Sequence, residues 1–331
     1  MAHTSQRIAF SFPPGIFDIK RMQPAFWECD EESGSAHVPL STRWHRLLPM
    51  LSHCNLMMAC APAGPVTAAI AVPRLRFEPV PDSSEWVCLE SGMELCPANL
   101  GGVLAALEPL HGGQCAASLQ FFDRAGEGCL KLMLTNLSDL SAFEHLVLKH
   151  ATPQHVARFG QNGAAPKEEP DAHKVRSLWN GLRRTLPTNT FPGLDGVARR
   201  SALAAAGPEH AWRVREDAVL PLIRAMTLAD APLGLGVRND ATFLPAGLCP
   251  SHWADCCCGT TFFANTTQVT LRHEISESEI WAVRFRVNEE EILSVEVYDR
   301  CGNFRAGLGL RHESHALHRQ QWNYWLREGA C

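Results

Sequence analysis

Hydrophobic and polar residues alternate in two segments of the chain that are alike. Residues 118–126 are SLQFFDRAG, and residues 294–302, which lie 176 positions later, are SVEVYDRCG. Each segment is an alternating apolar run that ends in Asp-Arg-x-Gly, the pattern of a half-buried strand entering a tight turn. Similar strand patterns follow both segments, LKLML at 130–134 and AGLGL at 306–310. A repeat this long predicts two similar half-molecules and not a solenoid, whose repeats span about 20–50 residues.

Helical patterns lie around these strand patterns. Apolar spacing and capping residues predict helices at the following places: from Ser41, with Ser41 as a possible N-cap, and at 140–149, 175–184, 197–206, 216–226 and 317–327. Strands that cluster between helices, and do not alternate singly with them, favour an α+β fold with mainly antiparallel sheets. We therefore predict two tandem, structurally similar halves, each a large antiparallel sheet with packed helices.

Composition suggests where the halves begin and end. Residues 1–40 have no clear periodicity and are predicted to be an extension that is partly ordered at most. Residues 151–172 are rich in Gly, Pro and charged side chains, which is typical of a linker. The predicted division is therefore an extension (1–40), a first repeat (41–150), a linker (151–172) and a second repeat (173–331).

Charge and cysteine content limit the classes of function. The formal net charge of −5 gives no reason to expect a nucleic-acid partner, which would favour a basic face. No apolar run approaches the roughly 18 residues needed to cross a bilayer, and the first twenty residues lack the apolar stretch of a secretory signal. Thirteen cysteines, among them Cys256-Cys257-Cys258, follow no disulfide framework. We expect reduced thiols in a cytoplasmic protein without membrane insertion.

The repeated segments resemble the cytoplasmic haem-utilisation proteins of the HemS/HmuS/ChuX type. That family carries two tandem copies of a strand-rich unit, each with a segment like SLQFFD followed by a strand and a helix. In this chain the matching residues are 118–123, 142–147, Trp179, 196–197, Arg199, 202–203, 206–207, 271–272, 281–284 and 308–311. The resemblance covers about four fifths of the chain. It implies haem as the cofactor, bound in a cleft of the second half.

The chain departs from the family at the iron ligand. The family has an axial histidine after its Trp179-type position, and counting seven residues on from Trp179 reaches Leu186. A leucine cannot ligate iron. If the alignment is right, Leu186→His should strengthen hemin binding and give a spectrum typical of nitrogen ligation.

Three arginines are candidates for holding the haem propionates. Arg311 lies where the family has an arginine after a strand, and its guanidinium suits carboxylates because it can form two charge-assisted hydrogen bonds. Arg272 and Arg284 lie near the ends of adjacent strand patterns and are weaker candidates. An exposed arginine at the end of a strand is the ordinary alternative for all three.

Two other groups could bind a metal. His312, His315 and His318 follow Arg311 at a spacing of three, and imidazole suits iron or zinc; His173 could reach iron only if its helix shifted by several turns. The alternative for these histidines is a solvated turn and helix start. Cys249, His252 and Cys256–Cys258 offer soft ligands, but no second ligand pair accompanies them, and buried reduced cysteine is common.

Three functions remain open. The leading one is a cytoplasmic haem-binding and trafficking protein of iron acquisition, whose partners would be a haem oxygenase or an inner-membrane haem importer. The second is an enzyme that opens the porphyrin ring, with an external reductant because the chain shows no flavin or nicotinamide motif. The third is a scaffold that has lost haem and acts through protein contacts, an alternative raised by Leu186.

Overall fold

The computed structural model describes residues 17–18, 28–29, 35–110, 114–152, 170–179, 197–257, 259–287 and 290–329. The elements described up to residue 152 are β1 (Phe17–Asp18), β2 (Glu28–Cys29), β3 (Ala36–Pro39), α1 (Trp44–Leu47), a 3₁₀ helix (Leu48–Cys54), β4 (Asn55–Ala63), β5 (Val66–Val72), β6 (Phe77–Pro79), β7 (Trp86–Cys88), β8 (Glu94–Leu95), a 3₁₀ turn (Pro97–Asn99), β9 (Leu100–Pro109), β10 (Gln114–Asp123), β11 (Gly128–Ser138) and α2 (Leu140–His150).

The elements described from residue 170 onward begin with two helices and, from the strand Ala211–Val214 on, repeat the order that starts at β3. They are α3 (Ala172–Trp179), α4 (Arg199–Ala206), β12 (Ala211–Val214), α5 (Glu216–Leu228), β13 (Leu233–Arg238), β14 (Thr242–Leu248), β15 (His252–Cys256), β16 (Gly259–Phe263), β17 (Thr267–Arg272), a 3₁₀ helix (His273–Glu277), β18 (Glu279–Val287), β19 (Glu290–Tyr298), β20 (Phe304–Leu310) and α6 (Ala316–Glu328).

The strands form two antiparallel sheets, and the second sheet matches the first strand by strand from β15 to β3, while β1 and β2 have no described counterpart. The first runs β15-β16-β17-β5-β4-β11-β10-β9-β3-β2, with β1 paired to β10, and the second runs β6-β7-β8-β14-β13-β20-β19-β18-β12. The paired segments of the sequence repeat, β10 and β19, hold the same place, each between the strand before it and the strand after it. The predicted α+β fold with two similar halves is confirmed.

Each half contributes three strands to the sheet of the other half, which the sequence analysis did not predict. Strands β6–β8 come from the first half and extend the second sheet, where β8 pairs with β14. Strands β15–β17 come from the second half and extend the first sheet, where β17 pairs with β5. The two halves are therefore tied together by hydrogen-bonded strands as well as by side-chain packing.

The two Asp-Arg-x-Gly turns have the same geometry. The backbone N–H of Gly126 donates to the carbonyl of Asp123 at 3.1 Å, and that of Gly302 donates to the carbonyl of Asp299 at 2.9 Å. Both glycines have positive φ, 85° and 82°, a region that glycine adopts without steric cost. The strand and tight turn predicted in each copy are confirmed.

The helix predicted from Ser41 differs from its prediction. It begins at Trp44, and after Leu47 it tightens into the 3₁₀ helix Leu48–Cys54. Pro49 lies at the start of that 3₁₀ segment and has no N–H for an α-helical hydrogen bond, which is the physical reason for the change. The other five α-helices overlap their predicted ranges, although α3 is described only to Trp179.

One apolar core joins one face of each sheet. Leu119 and Phe121 of β10 and Val295 and Val297 of β19 all lie in it, with α2, α5 and α6 packed against it. On the other face of the second sheet, α3 and α4 cover a separate cluster that includes Trp179 and Phe285. The rest of that outer face carries the site described below.

The amino-terminal region contributes to the first sheet. Strand β3 pairs with β9 and takes the place that β12 has in the second sheet, although it precedes the predicted start of the repeat at Ser41. The division into 1–40, 41–150, 151–172 and 173–331 stays a prediction, and residues 153–169 of the predicted linker lie outside the described residues. In the part of the chain that the structure describes, no helix is long and apolar enough to span a membrane.

Candidate functional site

A cavity of about 580 Å³ lies on the outer face of the second sheet. Its floor comes from alternate residues of β13, β14, β19 and β20, because successive side chains of a strand point to opposite faces. The described residues that line it are Ser91, 234–236, Phe243, 245–247, Phe285, Ile292, Ser294, Glu296, Phe304 and 307–311.

The cavity exists because glycines occupy the floor. Gly234 pairs with Gly309 across β13 and β20, and Gly236 pairs with Gly307. The corresponding pairs of the first sheet are Met58–Met133 and Cys60–Lys131. There, Met58, Cys60 and Met133 are buried in a small apolar cluster. The second repeat thus lacks the side chains that fill this face in the first.

The glycines of the floor are of two kinds. A Cβ added to Gly236 would lie 2.7 Å from a ring carbon of Phe243, and one added to Gly247 would lie 2.9 Å from Nη1 of Arg311. A Cβ at Gly234 or Gly309 would meet its nearest atoms at 3.7 Å and 3.6 Å, which is ordinary van der Waals contact. A side chain at Gly236 would force the Phe243 ring to shift and one at Gly247 would displace the flexible tip of Arg311, whereas Gly234 and Gly309 have room for a Cβ.

Arg311 lies at the rim of the cavity, directly after β20. Its backbone N–H donates to the carbonyl of Pro232 at 2.9 Å, which fixes the start of its side chain. The guanidinium Nε lies 2.8 Å from the Glu313 carboxylate, and the side chain is 46% exposed. A hydrogen bond from its own backbone N–H, and then the charges of Arg311 and His312, hold the pKa of Glu313 below its ordinary value. Arg311 is thus a cation within reach of both the cavity and solvent.

A buried ion pair lies at another wall. Glu296 lines the cavity and accepts hydrogen bonds from Arg199 Nε at 2.8 Å and Nη2 at 2.6 Å, and from the Tyr298 hydroxyl at 2.5 Å. Burial raises the pKa of Tyr298 well above its ordinary value. Burial would lower the pKa of Arg199, but the Glu296 charge outweighs this effect and raises it. Arg199 therefore stays charged and Tyr298 stays neutral, and the Arg199–Glu296 ion pair has no net charge.

Aromatic rings continue from the cavity under α3. Phe285 stacks on Trp179 with ring centroids 6.3 Å apart, and His210 lies on Trp179 at 5.6 Å. The Trp179 indole N–H donates to the backbone carbonyl of Arg284 at 2.9 Å, which anchors α3 to β18. Burial lowers the pKa of His210, so its imidazole is held in the neutral form. Trp179 thus contacts the rings of Phe285 and His210, and His210 is not among the described residues that line the cavity.

Arg272 and Arg284, which were expected to assist Arg311, do not lie in this cavity. Arg272 ends β17 in the first sheet, where its Nε lies 3.2 Å from Glu274. Arg284 is on β18, but it precedes Phe285 and so faces the opposite side of the sheet. There it lies 5.5 Å from the Trp212 ring centroid. Arg272 lies away from the cavity because its strand belongs to the first sheet. Arg284 lies away from it because its side chain points to the opposite face of the second sheet.

The histidines and cysteines considered as metal ligands do not converge. His315 and His318 have ring centroids 5.5 Å apart, and their helix α6 packs through Trp322 into the core on the opposite face from the cavity. Among the described residues, no group of three or more His, Cys, Asp or Glu side chains could hold a metal ion. Cys249, Cys256 and Cys257 are exposed. Leu186 and Cys258 lie outside the described residues.

Two features of the site were not found from the sequence. One is the glycine floor, whose signal was present as glycine alternating with leucine in 233–236 and 307–310. This alternation places the leucines in the core and the glycines on the outer face. The other is the Arg199–Glu296 pair, for which a separation of 97 residues gives no local signal.

Comparisons with known proteins agree on the fold. No family model matches the sequence, and no curated protein matches it either. Among solved structures, the chain is similar to holo-PhuS, a haem-binding protein from Pseudomonas aeruginosa, with a TM-score of 0.76, 21% identity and 86% of each chain covered. It is also similar to the haem-degrading enzyme ChuS from Escherichia coli O157:H7, with a TM-score of 0.72, 16% identity, 89% of this chain and 87% of that chain covered. At these identities the likeness shows a shared fold.

Proposed function

We propose that this protein binds haem in the glycine-floored cavity of the second sheet and passes it on within a pathway of haem-iron utilisation. The single observation that carries the proposal is an open apolar floor with a half-exposed arginine at its rim. The fold, shared with a haem-binding protein and a haem-degrading enzyme, supports the choice of ligand.

The cavity suits the shape of a porphyrin ring. Its volume of about 580 Å³ lies in the usual range for small-molecule sites, about 300–1,000 Å³. The backbone of Gly234 and Gly309 offers a floor without projecting side chains, and Phe243, Phe285 and Phe304 supply apolar ring faces. Burial of apolar surface against these groups is the main favourable contribution expected.

The charges of the cavity suit the orientation of the propionates. Arg311 offers charge-assisted hydrogen bonds to carboxylates at the rim, where they also keep contact with solvent. The Arg199 guanidinium at the other wall is buried and its charge is already compensated by Glu296, so this wall is electrically neutral as a pair. A haem ring would therefore bind with its propionates towards Arg311 and its apolar edge inward.

Degradation of haem is the second candidate, because one of the similar structures is a haem-degrading enzyme. Ring opening requires a reductant that this chain does not supply, so the activity would depend on an external donor. We also propose that the chain acts in the cytoplasm, where it passes haem to a haem oxygenase or receives it from an inner-membrane importer.

The test is a hemin titration of the purified protein followed by absorbance. We expect a saturable shift of the Soret band at one equivalent. Replacing Arg311 with alanine should weaken binding about tenfold, because a hydrogen bond to a charged group contributes about 1.5–3 kcal/mol. Arg272→Ala is the matched control, since it removes a paired, exposed arginine away from the cavity, and its affinity should not change.

Two results separate the alternatives. Decay of the bound spectrum when reductant and oxygen are added would assign degradation to this chain. No saturable shift, or an Arg311→Ala variant that binds like the Arg272→Ala variant, would contradict the proposed site.

A further inference from the structure

We infer that the cavity recognises the tetrapyrrole through its ring and carboxylates and not through its metal, so that an iron-free porphyrin is as good a ligand as haem. This inference rests on the proposed function and concerns the substrate class of the same site. It follows because a protein of this fold binds haem, whereas the described residues that line the cavity do not include an iron ligand.

Among the residues that the structure describes, the cavity lining offers no side chain that ligates haem iron. Protein ligands of haem iron are His, Cys, Met or Tyr. None of these four residue types occurs among the described residues that line the cavity. The polar lining groups are Ser91, Ser294, Glu296 and Arg311, and Glu296 is already bonded to Arg199 and Tyr298.

The sequence extends this argument to the segment after Trp179. Residues 180–196 are NGLRRTLPTNTFPGLDG and contain no His, Cys, Met or Tyr. Whichever residue of 180–196 aligns with the axial histidine of the resembled family, its side chain cannot ligate iron. No shift of register within this segment brings an iron ligand to the place that Leu186 now has.

Two potential ligands lie behind the cavity wall but are engaged elsewhere. The Tyr298 hydroxyl donates to Glu296 at 2.5 Å and is buried. Iron would need the phenolate, which burial disfavours. His210 lies tilted against Trp179, whose ring in turn stacks on Phe285, and it is not among the described residues that line the cavity.

The consequence concerns affinity. Without an axial bond, the binding free energy comes from apolar contact with the floor and from the carboxylates at Arg311. Hemin and iron-free protoporphyrin IX present the same ring edge and the same two propionates. They should therefore bind with similar affinities, as should a zinc porphyrin.

The experiment compares hemin with iron-free protoporphyrin IX on the full-length protein, by quenching of tryptophan fluorescence. We expect dissociation constants within about threefold of each other, a difference below about 1 kcal/mol. The cavity-filling variant Gly234→Met/Gly309→Met should weaken both ligands together, which shows that they share the site.

The outcomes are distinguishable. If hemin binds at least about tenfold more tightly than the iron-free ring and gives a spectrum of nitrogen or sulfur ligation, the inference is wrong while the proposed function stands. If neither ring binds, the proposed function is wrong and the inference falls with it. Equal binding that the cavity-filling variant leaves intact would place the ligand outside the cavity and would overturn the proposed site together with the inference.

Discussion

Gly309 on β20 lies directly opposite Gly234 on β13, at the place where the first sheet pairs Met133 with Met58. Facing residues of neighbouring antiparallel strands have Cβ positions about 5 Å apart, so the methionine pair fills the outer face of one sheet while the glycine pair leaves the other open. The two repeats share a fold but differ in the volume available on this face. This difference is the basis for assigning the site to the second repeat.

Replacing Glu313 with glutamine should strengthen ligand binding. The Glu313 carboxylate lies 2.8 Å from Arg311 Nε and competes with an incoming carboxylate for the same guanidinium. Exposed ion pairs are weak, so the gain should be about two- to fivefold in affinity. Hemin titration of the variant measures it.

The matched control for that variant is Glu274→Gln. It breaks a similar exposed pair, with Arg272 in the first sheet, and should leave hemin affinity unchanged. Equal affinities for both variants and the unmodified protein would show that Glu313 does not compete for Arg311.

Replacing Glu296 with alanine should strongly destabilise the fold. The change leaves Arg199 buried and charged without its partner, which typically costs about 3–5 kcal/mol. Urea denaturation followed by circular dichroism measures the change in the free energy of unfolding. The exposed pair between Glu277 and Arg300 provides the control, since Glu277→Ala should cost less than about 1 kcal/mol.

Loss of both partners of the buried pair should be milder than loss of one. A variant with Arg199→Met and Glu296→Leu removes both charges together, and buried pairs replaced in this way are often near neutral in stability. If the double variant is as unstable as Glu296→Ala, the cost of losing Glu296 does not come from leaving the Arg199 charge unpaired.

The contribution of Glu279 to stability should depend on pH. Hydrogen bonds from Arg200, one of them 2.6 Å long, lower the pKa of Glu279 below its ordinary value of 4.5. Because the pKa is lower in the folded state, the stabilisation is present above about pH 4.5 and is lost as the pH falls through the folded-state pKa.

Glu279→Gln should therefore cost about 1 kcal/mol at pH 7 and less at pH 3. Urea denaturation of both proteins at the two pH values measures this difference. A cost that is equal at both pH values would show that the ionised carboxylate is not the source of the stabilisation.

Thiol reactivity should divide the cysteines by burial. Burial raises the pKa of Cys54 and Cys129 to about 12 and that of Cys60 to about 11, and the thiolate is the reactive species. At pH 8, maleimide should label the exposed Cys257 and Cys301 in minutes and should label the three buried thiols only after denaturation. Peptide mass spectrometry identifies the labelled sites, and rapid labelling of Cys60 in the native protein would contradict the described packing.

The strands and turns of each repeat could be predicted from the sequence because neighbouring residues specify them. Alternation in 118–126 and 294–302 specifies strands, and Gly126 and Gly302 specify the turns, so each unit can be predicted from neighbouring residues. The exchange of β6–β8 and β15–β17 was not predicted, since alternation shows that a strand exists but not which sheet it joins. The same exchange moved Arg272 away from Arg311.

The site was predicted only in part, for a similar reason. Arg311 could be named because the family that the sequence resembles has an arginine at this place after a strand, and the side chain lines the cavity at its rim. The floor could not be predicted from single residues, because Gly234 and Gly309 make a cavity only when they are paired across two strands. A search for positions at which one copy of the repeat has glycine and the other a large side chain would have found them.

The most direct test of the account is hemin binding to the variant Gly234→Met/Gly309→Met, which gives the second sheet the methionine pair of the first. Both positions have room for a Cβ, so the variant should fold, with a circular dichroism spectrum like that of the unmodified protein. The control is Gly102→Met/Gly128→Met, at two positions that have open space around an added Cβ. We predict that the cavity-filling variant loses saturable hemin binding, by about a hundredfold or more, while the control binds normally. A folded cavity-filling variant that binds hemin as tightly as the control would contradict the account.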